Sequence, residues 1–302
     1  MAIRYRLLDV SDQTGKTFLI TGANAGIGFE AAKALAARGA RVILGCRDAK
    51  KGAEALWRIR EHDPLADLVL LDLDLADLDS IRSVGASLAD EPAIDVLVNN
   101  AGVMATPKLQ TVQGFELQFG INHLGHFALT TVLWPWLMKS ASPRVVTVSS
   151  LTHRLGRIDF DDLGADRRYS GMGRYEMSKL ANLAFTFELA RRAKRAGLNL
   201  KALACHPGAS STELARHHPI LNTLFVPMAY VLNSAAEGAL PTLRAATDPK
   251  AASMDYFGPE GWLELAKGAR KVRASRHARD EGLGAKLWSV SESMTACSLL
   301  SS

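Results

Sequence analysis

The sequence predicts a doubly wound α/β fold, in which helices cover both faces of a mostly parallel sheet. Buried strands are predicted where the chain has short, nearly continuous apolar runs, at 17–20, 41–46, 68–73, 95–99, 144–149 and 200–205. Segments with helical character separate these runs, at 29–38, 50–61, 80–88, 115–137, 177–196 and 235–246. Strands that alternate with helices in this way form parallel sheets through right-handed crossovers.

Glycine and proline residues set the element boundaries in chain order. Gly39 ends the first helix, and the second helix stops near Pro64. Pro135 bends or breaks the long segment 115–137, because a proline ring removes one helical hydrogen bond. No linker rich in proline, glycine or serine interrupts the chain, and no internal repeat is present. The sequence therefore predicts a single domain over residues 1–302.

Composition and charge fit a globular protein with a substantial core. Of the 302 residues, 48% are hydrophobic and 22% are charged, and the formal net charge is +5. Basic clusters at 191–195 and 267–279 suit either a phosphate, nucleic-acid or membrane-surface patch or a solvated helix face. No aromatic interleaving or nucleic-acid motif accompanies them, so we predict solvated faces and no nucleic-acid partner.

The cysteines and the N-terminal segment indicate the compartment. Cys46, Cys205 and Cys297 show no paired spacing, which disfavours a disulfide framework or a zinc site. Residues 1–16 are mixed and charged, without the apolar core of a signal peptide or a membrane span. The sequence therefore predicts a cytoplasmic protein with no metal and no membrane span, and it leaves the oligomeric state open.

A glycine-rich turn follows the first predicted strand and opens the first helix. Gly22, Gly26 and Gly28 allow the backbone to approach a pyrophosphate, whose charge the helix N-terminus stabilises. A tight turn without a ligand is the alternative, which the position after the first strand disfavours. An acidic residue often binds the ribose 2′-hydroxyl after the second strand, but Arg47 stands there, with Asp48 one residue later. Because Arg47 can pair with a 2′-phosphate, we predict a preference for NADP(H) over NAD(H).

Tyr175 and Lys179 lie four residues apart in a segment with helical periodicity, so they project from one face. A lysine ammonium beside a phenol favours the phenolate and lowers the phenol pKa from about 10 toward working pH. Such a phenol can donate a proton to a carbonyl or accept one from an alcohol. This pair also arises by chance on helix surfaces. Together with the glycine turn, however, it predicts hydride transfer coupled to proton transfer.

With these motifs placed, the chain resembles the classical short-chain dehydrogenase/reductase family over nearly its full length. The matching motifs occur in the family's order: Thr21-Gly22-x-x-x-Gly26-x-Gly28, Asp74-Leu75, Asn99-Asn100-Ala101-Gly102, Asn122, Ser149-Ser150, Tyr175-x-x-x-Lys179 and Pro207-Gly208 with Thr212. Further motifs are similar to the retinol-dehydrogenase-like branch: Gly45-Cys46-Arg47-Asp48, Asn122-His123-Leu124-Gly125-His126-Phe127, Ser178-Lys179-Leu180-Ala181-Asn182 and Tyr256-Phe257-Gly258-Pro259. The resemblance implies a single-domain Rossmann-type sheet and an NADP(H)-dependent oxidoreductase.

The resemblance also implies a role for each matching residue. Tyr175 is the expected acid/base, Lys179 lowers its pKa and holds the nicotinamide ribose, and Ser150 binds the substrate oxygen. We expect Ser150 rather than Ser149, because the family's serine is usually the second of the pair and alternation separates the two faces. Asn122 is expected to hold a water in the proton path. The expected cofactor-binding residues are Gly22, Asn24, Gly26, Ile27, Gly28, Arg47, Asp74, Leu75, Asn100, Ala101, Gly102, Tyr175, Lys179, Pro207, Gly208 and Thr212.

The segment after the sixth strand and the histidines complete the site predictions. Residues 209–234 are rich in apolar side chains and are predicted to form a lid over an apolar substrate. A packed helix or an interfacial membrane contact are the alternatives. The histidines at 123, 126, 153 and 206 lack metal-ligand spacing and are predicted to be structural. His153 is the one expected to line the pocket, because it follows Ser150 closely.

Three functions are compatible with these motifs. The leading one interconverts a carbonyl and an alcohol on a small-molecule substrate. Reduction of a carbon–carbon double bond is a second, which the tyrosine and lysine do not exclude. A non-catalytic redox sensor that binds NADP(H) is a third. The complete set of Ser150, Tyr175, Lys179 and Asn122 argues against the sensor, because a sensor has no need of it.

Overall fold

The computed structural model describes residues 4–208 and 233–300. The strands are β1 (Thr17–Thr21), β2 (Arg41–Cys46), β3 (Leu68–Asp72), β4 (Val96–Asn99), β5 (Arg144–Val148), β6 (Lys201–Cys205), β7 (Tyr256–Gly258) and β8 (Arg270–Lys271). The helices are α1 (Gly26–Ala36), α2 (Ala49–Arg60), α3 (Leu78–Ser87), α4 (Leu117–Phe119), α5 (Gly125–Val132), α6 (Trp134–Lys139), α7 (Gly171–Arg195), α8 (Ala235–Thr247) and α9 (Glu281–Thr295).

The strands form one sheet in the order β3-β2-β1-β4-β5-β6-β7-β8. Neighbouring strands from β3 to β7 pair in parallel, and β8 pairs antiparallel with β7 at the edge. The strand order reverses between β1 and β4, so the chain runs outward in both directions from this pair. In such sheets a crevice opens at the carboxyl ends of the two strands. The predicted doubly wound fold is therefore confirmed.

Alternating side chains of the central strands supply two separate cores. On β1, Phe18 and Ile20 belong to the cluster that also contains residues of α1, α2 and α8. Leu19 points to the opposite face, where it joins residues of α3, α5 and α7. All three side chains are fully buried. This burial on both faces explains why the strands read as continuous apolar runs.

Helix α7 begins six residues earlier than the sequence pattern suggested. Its first residue is Gly171, and the Ser170 hydroxyl caps it by accepting a hydrogen bond of 3.2 Å from the backbone N–H of Gly173. A serine at this position satisfies a backbone donor that has no partner within the helix. As a result Tyr175 lies within the second turn of a regular helix, together with Lys179.

The segment predicted as one long helix at 115–137 is divided into pieces. A π-helical turn, Gly120–Leu124, separates α4 from α5 and contains Asn122. A second break separates α5 from α6 at Leu133, two residues before Pro135. π-helical turns inside helices are often found at functional sites, because they leave backbone groups without the usual helical partner.

Three elements near the C-terminus were not predicted from the sequence. Strands β7 and β8 are too short to show periodicity, and α9 packs against α7. The Trp288 ring of α9 is fully buried and stacks on Phe185 with ring centroids 5.8 Å apart. No helix in the described ranges combines the length and the apolar character that crossing a bilayer requires.

Candidate active site

A cavity of about 390 Å³ opens at the carboxyl ends of β1, β2 and β4. It lies at the point where the strand order reverses. Most of the predicted cofactor-binding residues line it: Gly22, Asn24, Gly26, Ile27, Gly28, Arg47, Asp74, Leu75, Asn100, Ala101 and Gly102. It is also lined by residues that the sequence reasoning did not select: Thr21, Ala25, Gly45, Asp48, Lys51, Leu73, Val103 and Ile121.

The glycine turn at one end of this cavity has the geometry of a phosphate cradle. Gly22 and Gly26 have φ angles of +67° and +56°, which only glycine adopts without strain. A Cβ atom at Gly28 would lie 2.5 Å from the carbonyl oxygen of Gly22, so the turn closes tightly on α1. Ala25 caps α1 without a side-chain hydrogen bond, and it lines the cavity with its neighbours. An uncapped helix N-terminus attracts anions, so these residues fit the pyrophosphate of a dinucleotide.

Three charged residues that follow β2 line the same cavity: Arg47, Asp48 and Lys51. Asp48 caps α2, because one carboxylate oxygen accepts a 3.1 Å hydrogen bond from the backbone N–H of Lys51. The other oxygen lies 3.3 Å from the Lys51 ammonium. The backbone N–H of Lys51 is also the main cause that lowers the pKa of Asp48. Asp48 is therefore turned toward its own helix, whereas Arg47 is exposed and joins none of the ion pairs of the described residues.

The end of β4 is held by the hydroxyl group of Thr21. This oxygen accepts hydrogen bonds of 2.9 Å from the backbone N–H groups of Asn100 and Ala101. The Asn100 amide donates a further bond of 2.8 Å to the carbonyl oxygen of Thr21. A threonine at the end of β1 thus fixes the loop that lines the middle of the cavity. The sequence signal that could have identified Thr21 as a site residue was its position directly before Gly22 of the glycine turn.

His126 connects Thr21 with the π-helical turn. Its Nδ1 lies 3.0 Å from the carbonyl oxygen of Asn122, and its Nε2 lies 2.9 Å from the Thr21 hydroxyl. Because a carbonyl oxygen only accepts, Nδ1 carries the proton and Nε2 accepts from the hydroxyl. Complete burial lowers the pKa of His126 to about 4, so the ring is neutral at physiological pH.

Tyr175 and Lys179 lie together on α7, and each is 2% exposed. The Lys179 Nζ lies 5.5 Å from the centroid of the Tyr175 ring and donates a 3.2 Å hydrogen bond to the carbonyl oxygen of Val148. A Cβ atom at Gly102 would lie 3.3 Å from this Nζ. Gly102 lines the cavity and thus brings it next to the lysine, although Tyr175 and Lys179 are not part of the cavity lining in the described chain.

Asn122 uses its whole side chain for structure. Its Oδ1 accepts a 2.8 Å hydrogen bond from the backbone N–H of Val103. Its Nδ2 donates bonds of 2.9 Å to the carbonyl oxygen of Val103 and to the Ser178 hydroxyl. The side chain therefore ties the loop after β4 to α7. The backbone carbonyl oxygen of Asn122 already accepts from His126 and Oδ1 already accepts from Val103, and each has a further lone pair for a water.

Ser149 and Ser150 have separate environments at the end of β5. Ser149 is 2% exposed, and its hydroxyl donates a 2.8 Å hydrogen bond to the backbone carbonyl of Lys179. Ser150 is half-buried and caps the 3₁₀ turn Leu151–Arg154, accepting a 3.3 Å bond from the backbone N–H of Thr152. Strand alternation therefore separates the two hydroxyls, and Ser149 is committed to α7.

His153, the histidine expected to line the pocket, does not line the described cavity. Its side chain is 1% exposed, and both ring nitrogens have partners inside the protein. Nδ1 lies 2.6 Å from the carbonyl oxygen of Ser150, and Nε2 lies 3.1 Å from the backbone nitrogen of Ser275. The sequence could not indicate this, because Ser275 lies 122 positions away. No group of three or more potential metal ligands occurs in residues 4–208 and 233–300.

The segment after β6 is described only at its two ends. Gly208 has a φ angle of +77°, and its N–H donates a 3.2 Å hydrogen bond to Nδ1 of His206. The Asn233 amide donates a 2.8 Å bond to the carbonyl oxygen of Pro207. Pro207 and Gly208 are absent from the lining of the described cavity. Thr212 and nearly all of the predicted lid at 209–234 lie outside the described residues.

Sequence comparisons relate the chain to named proteins. The family model for short chain dehydrogenases matches residues 16–219. Retinol dehydrogenase 12 from Mus musculus is 41% identical over 280 residues, which cover 92% of this chain and 85% of that protein. Retinol dehydrogenase 14 from Homo sapiens is 40% identical over 300 residues, which cover 93% of this chain and 86% of that protein.

Solved structures have the same fold. The crystal structure of an uncharacterized protein from Mycobacterium Paratuberculosis has a TM-score of 0.82 and 40% identity, with 98% of each chain covered. A short chain dehydrogenase from Shigella flexneri, solved in complex with NADP, has a TM-score of 0.63 and 24% identity. It covers 82% of this chain and 97% of its own, and at this identity the likeness shows the fold alone. Together with the family match and the retinol dehydrogenase relatives, the geometry leads to one conclusion: the chain belongs to the short chain dehydrogenase family, whose members are oxidoreductases that bind NAD(P)(H).

Proposed function

We propose that this protein is an NADP(H)-preferring oxidoreductase that interconverts a carbonyl and an alcohol on an apolar small molecule. The observation that carries the proposal is the buried pair on α7. Lys179 places its ammonium 5.5 Å from the centre of the Tyr175 ring, and both side chains are 2% exposed. A phenolate and an ammonium attract each other more strongly in such a place than in water, because little solvent screens their charges.

The chemistry divides between the cofactor and the chain. When bound, the nicotinamide supplies or accepts the hydride at the reacting carbon. Tyr175 gives a proton to the carbonyl oxygen of the substrate or takes one from the alcohol. Lys179 stabilises the phenolate, and the Val148 carbonyl holds its ammonium in place. The Ser150 hydroxyl binds the substrate oxygen, and the Asn122 carbonyl holds a water beside Lys179.

The preference for NADP(H) is supported by the charges after β2. Arg47 lines the cavity, is exposed and has no carboxylate partner among the described residues, so its guanidinium can pair with a 2′-phosphate. Asp48 directs both carboxylate oxygens to Lys51. Both oxygens are therefore already engaged by Lys51, which makes Asp48 a poorer acceptor for the ribose 2′-hydroxyl than the carboxylate of an NAD(H) site. Asp74 and Leu75 line the same cavity, where we place the adenine.

The apolar substrate class is supported by the relatives and by the sequence. Two proteins at least 40% identical to the chain are named retinol dehydrogenases, and retinol is an apolar alcohol. We extend only this class, an apolar alcohol or its aldehyde or ketone, to the present chain. Residues 209–234 remain our candidate for the lid over the substrate. We also propose that the chain is a single domain and that the protein is cytoplasmic.

Turnover on a carbonyl panel tests the proposal. Purified protein should oxidise NADPH with at least one of a set of aliphatic, aromatic and isoprenoid aldehydes and ketones. Tyr175→Phe should lose about 10²- to 10⁴-fold in kcat and still bind NADPH, because it keeps the ring and removes the proton. Lys179→Ala should lose rate and also bind NADPH more weakly, because the ammonium serves both the phenol and the ribose.

The other candidate functions give different results in the same assay. A sensor would bind NADPH without oxidising it on any member of the panel. A carbon–carbon double-bond reductase would yield a saturated carbonyl from an enone, which product analysis distinguishes from an allylic alcohol. A Tyr175→Phe protein with unchanged turnover would remove the tyrosine from the mechanism, and with it the proposal.

A further inference from the structure

We propose that His153 is a positioning residue that fixes Ser150 for contact with the substrate oxygen. The inference rests on the proposed function, in which the Ser150 hydroxyl binds that oxygen. His153 itself is buried and contacts the backbone of Ser150 rather than its hydroxyl. Its effect on the reaction is therefore indirect and acts through the position of Ser150.

Ser150 stands at a junction where its backbone needs support. It is the last extended residue after β5, with φ −149° and ψ 160°, and the chain turns directly into the 3₁₀ turn Leu151–Arg154. Its carbonyl oxygen accepts two hydrogen bonds from His153, one of 3.2 Å from the backbone N–H and one of 2.6 Å from Nδ1. The imidazole thus supplies the shorter of the two bonds that hold this peptide group.

The far side of the imidazole anchors it to the C-terminal part of the chain. Nε2 accepts a 3.1 Å hydrogen bond from the backbone N–H of Ser275. The ring also packs edge-on against Tyr256, with centroids 5.6 Å apart. Because Nδ1 must donate and Nε2 must accept, the two bonds define both the tautomer and the orientation of the ring. His153 therefore transmits the position of the segment after β8 to Ser150.

The environment keeps this imidazole neutral. Burial is the main cause that lowers the pKa of His153 to about 4. At neutral pH the ring therefore has one N–H, and that N–H is the one bonded to Ser150. A protonated ring would place a second N–H against the N–H of Ser275, where two donors would face each other.

Substitution of His153 by asparagine or by glutamine distinguishes a positioning role of this residue from a merely structural one. The amide nitrogen of asparagine occupies the place of Nδ1, so His153→Asn keeps the bond to Ser150 and loses the bond from Ser275. The amide oxygen of glutamine reaches the place of Nε2, so His153→Gln keeps the Ser275 contact and loses the donor to Ser150. A structural role predicts that activity follows thermal stability in both variants.

The experiment measures kcat, KM, NADPH affinity and thermal stability for both variants. Exposed His277 provides a matched control as His277→Gln, which should leave all four unchanged. His153→Gln should lose between about 10-fold and 10²-fold in kcat with little change in NADPH affinity, as expected for a misplaced catalytic group. His153→Asn should stay within about 3-fold of the unmodified protein, since the bond to Ser150 remains. Should His153→Gln fail to fold, a folded His153→Asn protein that loses more than about 10-fold in kcat would overturn the inference.

A double-mutant cycle with Ser150→Ala completes the test. If His153 acts through Ser150, His153→Gln should lower kcat by no more than about 3-fold on the Ser150→Ala background, because the effects of mutations at two contacting residues do not add. If His153→Gln lowered kcat on that background as much as it does in the otherwise unmodified protein, the inference would be refuted and the proposed function would stay intact. Unchanged turnover in Ser150→Ala alone would instead refute the role of Ser150 in the proposed function.

Discussion

Replacing Gly28 by alanine tests whether the glycine turn holds the dinucleotide. A Cβ atom there would lie 2.5 Å from the Gly22 carbonyl oxygen and 2.5 Å from the Asn100 amide nitrogen. Ordinary contact begins at 3.4 Å, so these groups must separate by about 0.9 Å. Neither is free to move, because Gly22 donates a 2.8 Å hydrogen bond to Gly45 and Asn100 donates one of 2.8 Å to Thr21.

The expected cost follows from these contacts. Overpacking of this kind lowers the free energy of unfolding by about 1–3 kcal/mol. A displaced turn also loses at least one backbone hydrogen bond to a charged phosphate, worth about 1.5–3 kcal/mol. Gly28→Ala should therefore bind NADPH about 10- to 150-fold more weakly, measured by fluorescence titration at a temperature where circular dichroism shows the variant folded.

Gly85 provides the matched control for this substitution. It lies within α3, and a Cβ atom there would meet its nearest neighbour, the Trp136 ring, at 3.7 Å. Gly85→Ala should leave NADPH affinity unchanged and raise the free energy of unfolding by about 0.4–1 kcal/mol, because alanine is the better helix former. If Gly28→Ala bound NADPH as tightly as Gly85→Ala does, the cradle would not be the phosphate site.

Three further predictions concern charge, packing and pH. NADPH should bind more tightly than NADH. Arg47→Ala should narrow the difference between the two binding free energies by about 1–3 kcal/mol, measured by titration with both cofactors. Equal affinity for both cofactors in the unmodified protein would contradict this prediction. Gly102→Ala should lower kcat at least 10-fold (about 1.4 kcal/mol), because its Cβ would lie 3.1 Å from the Asn122 Oδ1 and 3.3 Å from the Lys179 Nζ; unchanged turnover would show that both groups can shift freely. Burial lowers the pKa of His126 and His153 to about 4 each, below the unfolded value of about 6.5, so the unfolded chain binds more protons between these values. The free energy of unfolding should be fully retained above about pH 6.5 and fall by several kcal/mol as the pH falls toward 4; urea midpoints that stay constant over this range would count against two neutral buried rings.

The strands of the central sheet could be predicted from the sequence because their signal is local. A strand buried on both faces is apolar over most of its length, and β1, β2 and β4 each contain at least three consecutive apolar residues within four to six positions. Strands β7 and β8 have three and two residues, so no pattern marks them. They exist because Phe257 pairs with Cys205 of β6 and Lys271 pairs with Phe257, and such contacts have no local signature.

The candidate chemistry-bearing residues of the site were likewise selected from their types and spacing. Tyr175 and Lys179 share a helix face whatever the rest of the chain does, and glycines after a first strand indicate a close approach to a ligand. The pairing of Asp48 with Lys51 was not evident from the sequence, although the capping position of an aspartate before a helix was a usable signal. That pairing supports the proposed cofactor preference, because Lys51 engages both carboxylate oxygens of Asp48 where it lines the cavity.

Only the tertiary structure decided what the buried polar groups do. From the sequence, His153 was a polar residue near Ser150 and therefore a candidate for the pocket. In the folded protein its Nε2 meets the backbone of Ser275, and its Nδ1 meets the backbone of Ser150. Asn122 likewise spends its amide on Val103 and Ser178. A sequence shows which hydrogen-bonding groups a chain carries, but buried groups take whichever partners the packing of distant segments brings within about 3 Å, and that choice is made only when the chain folds.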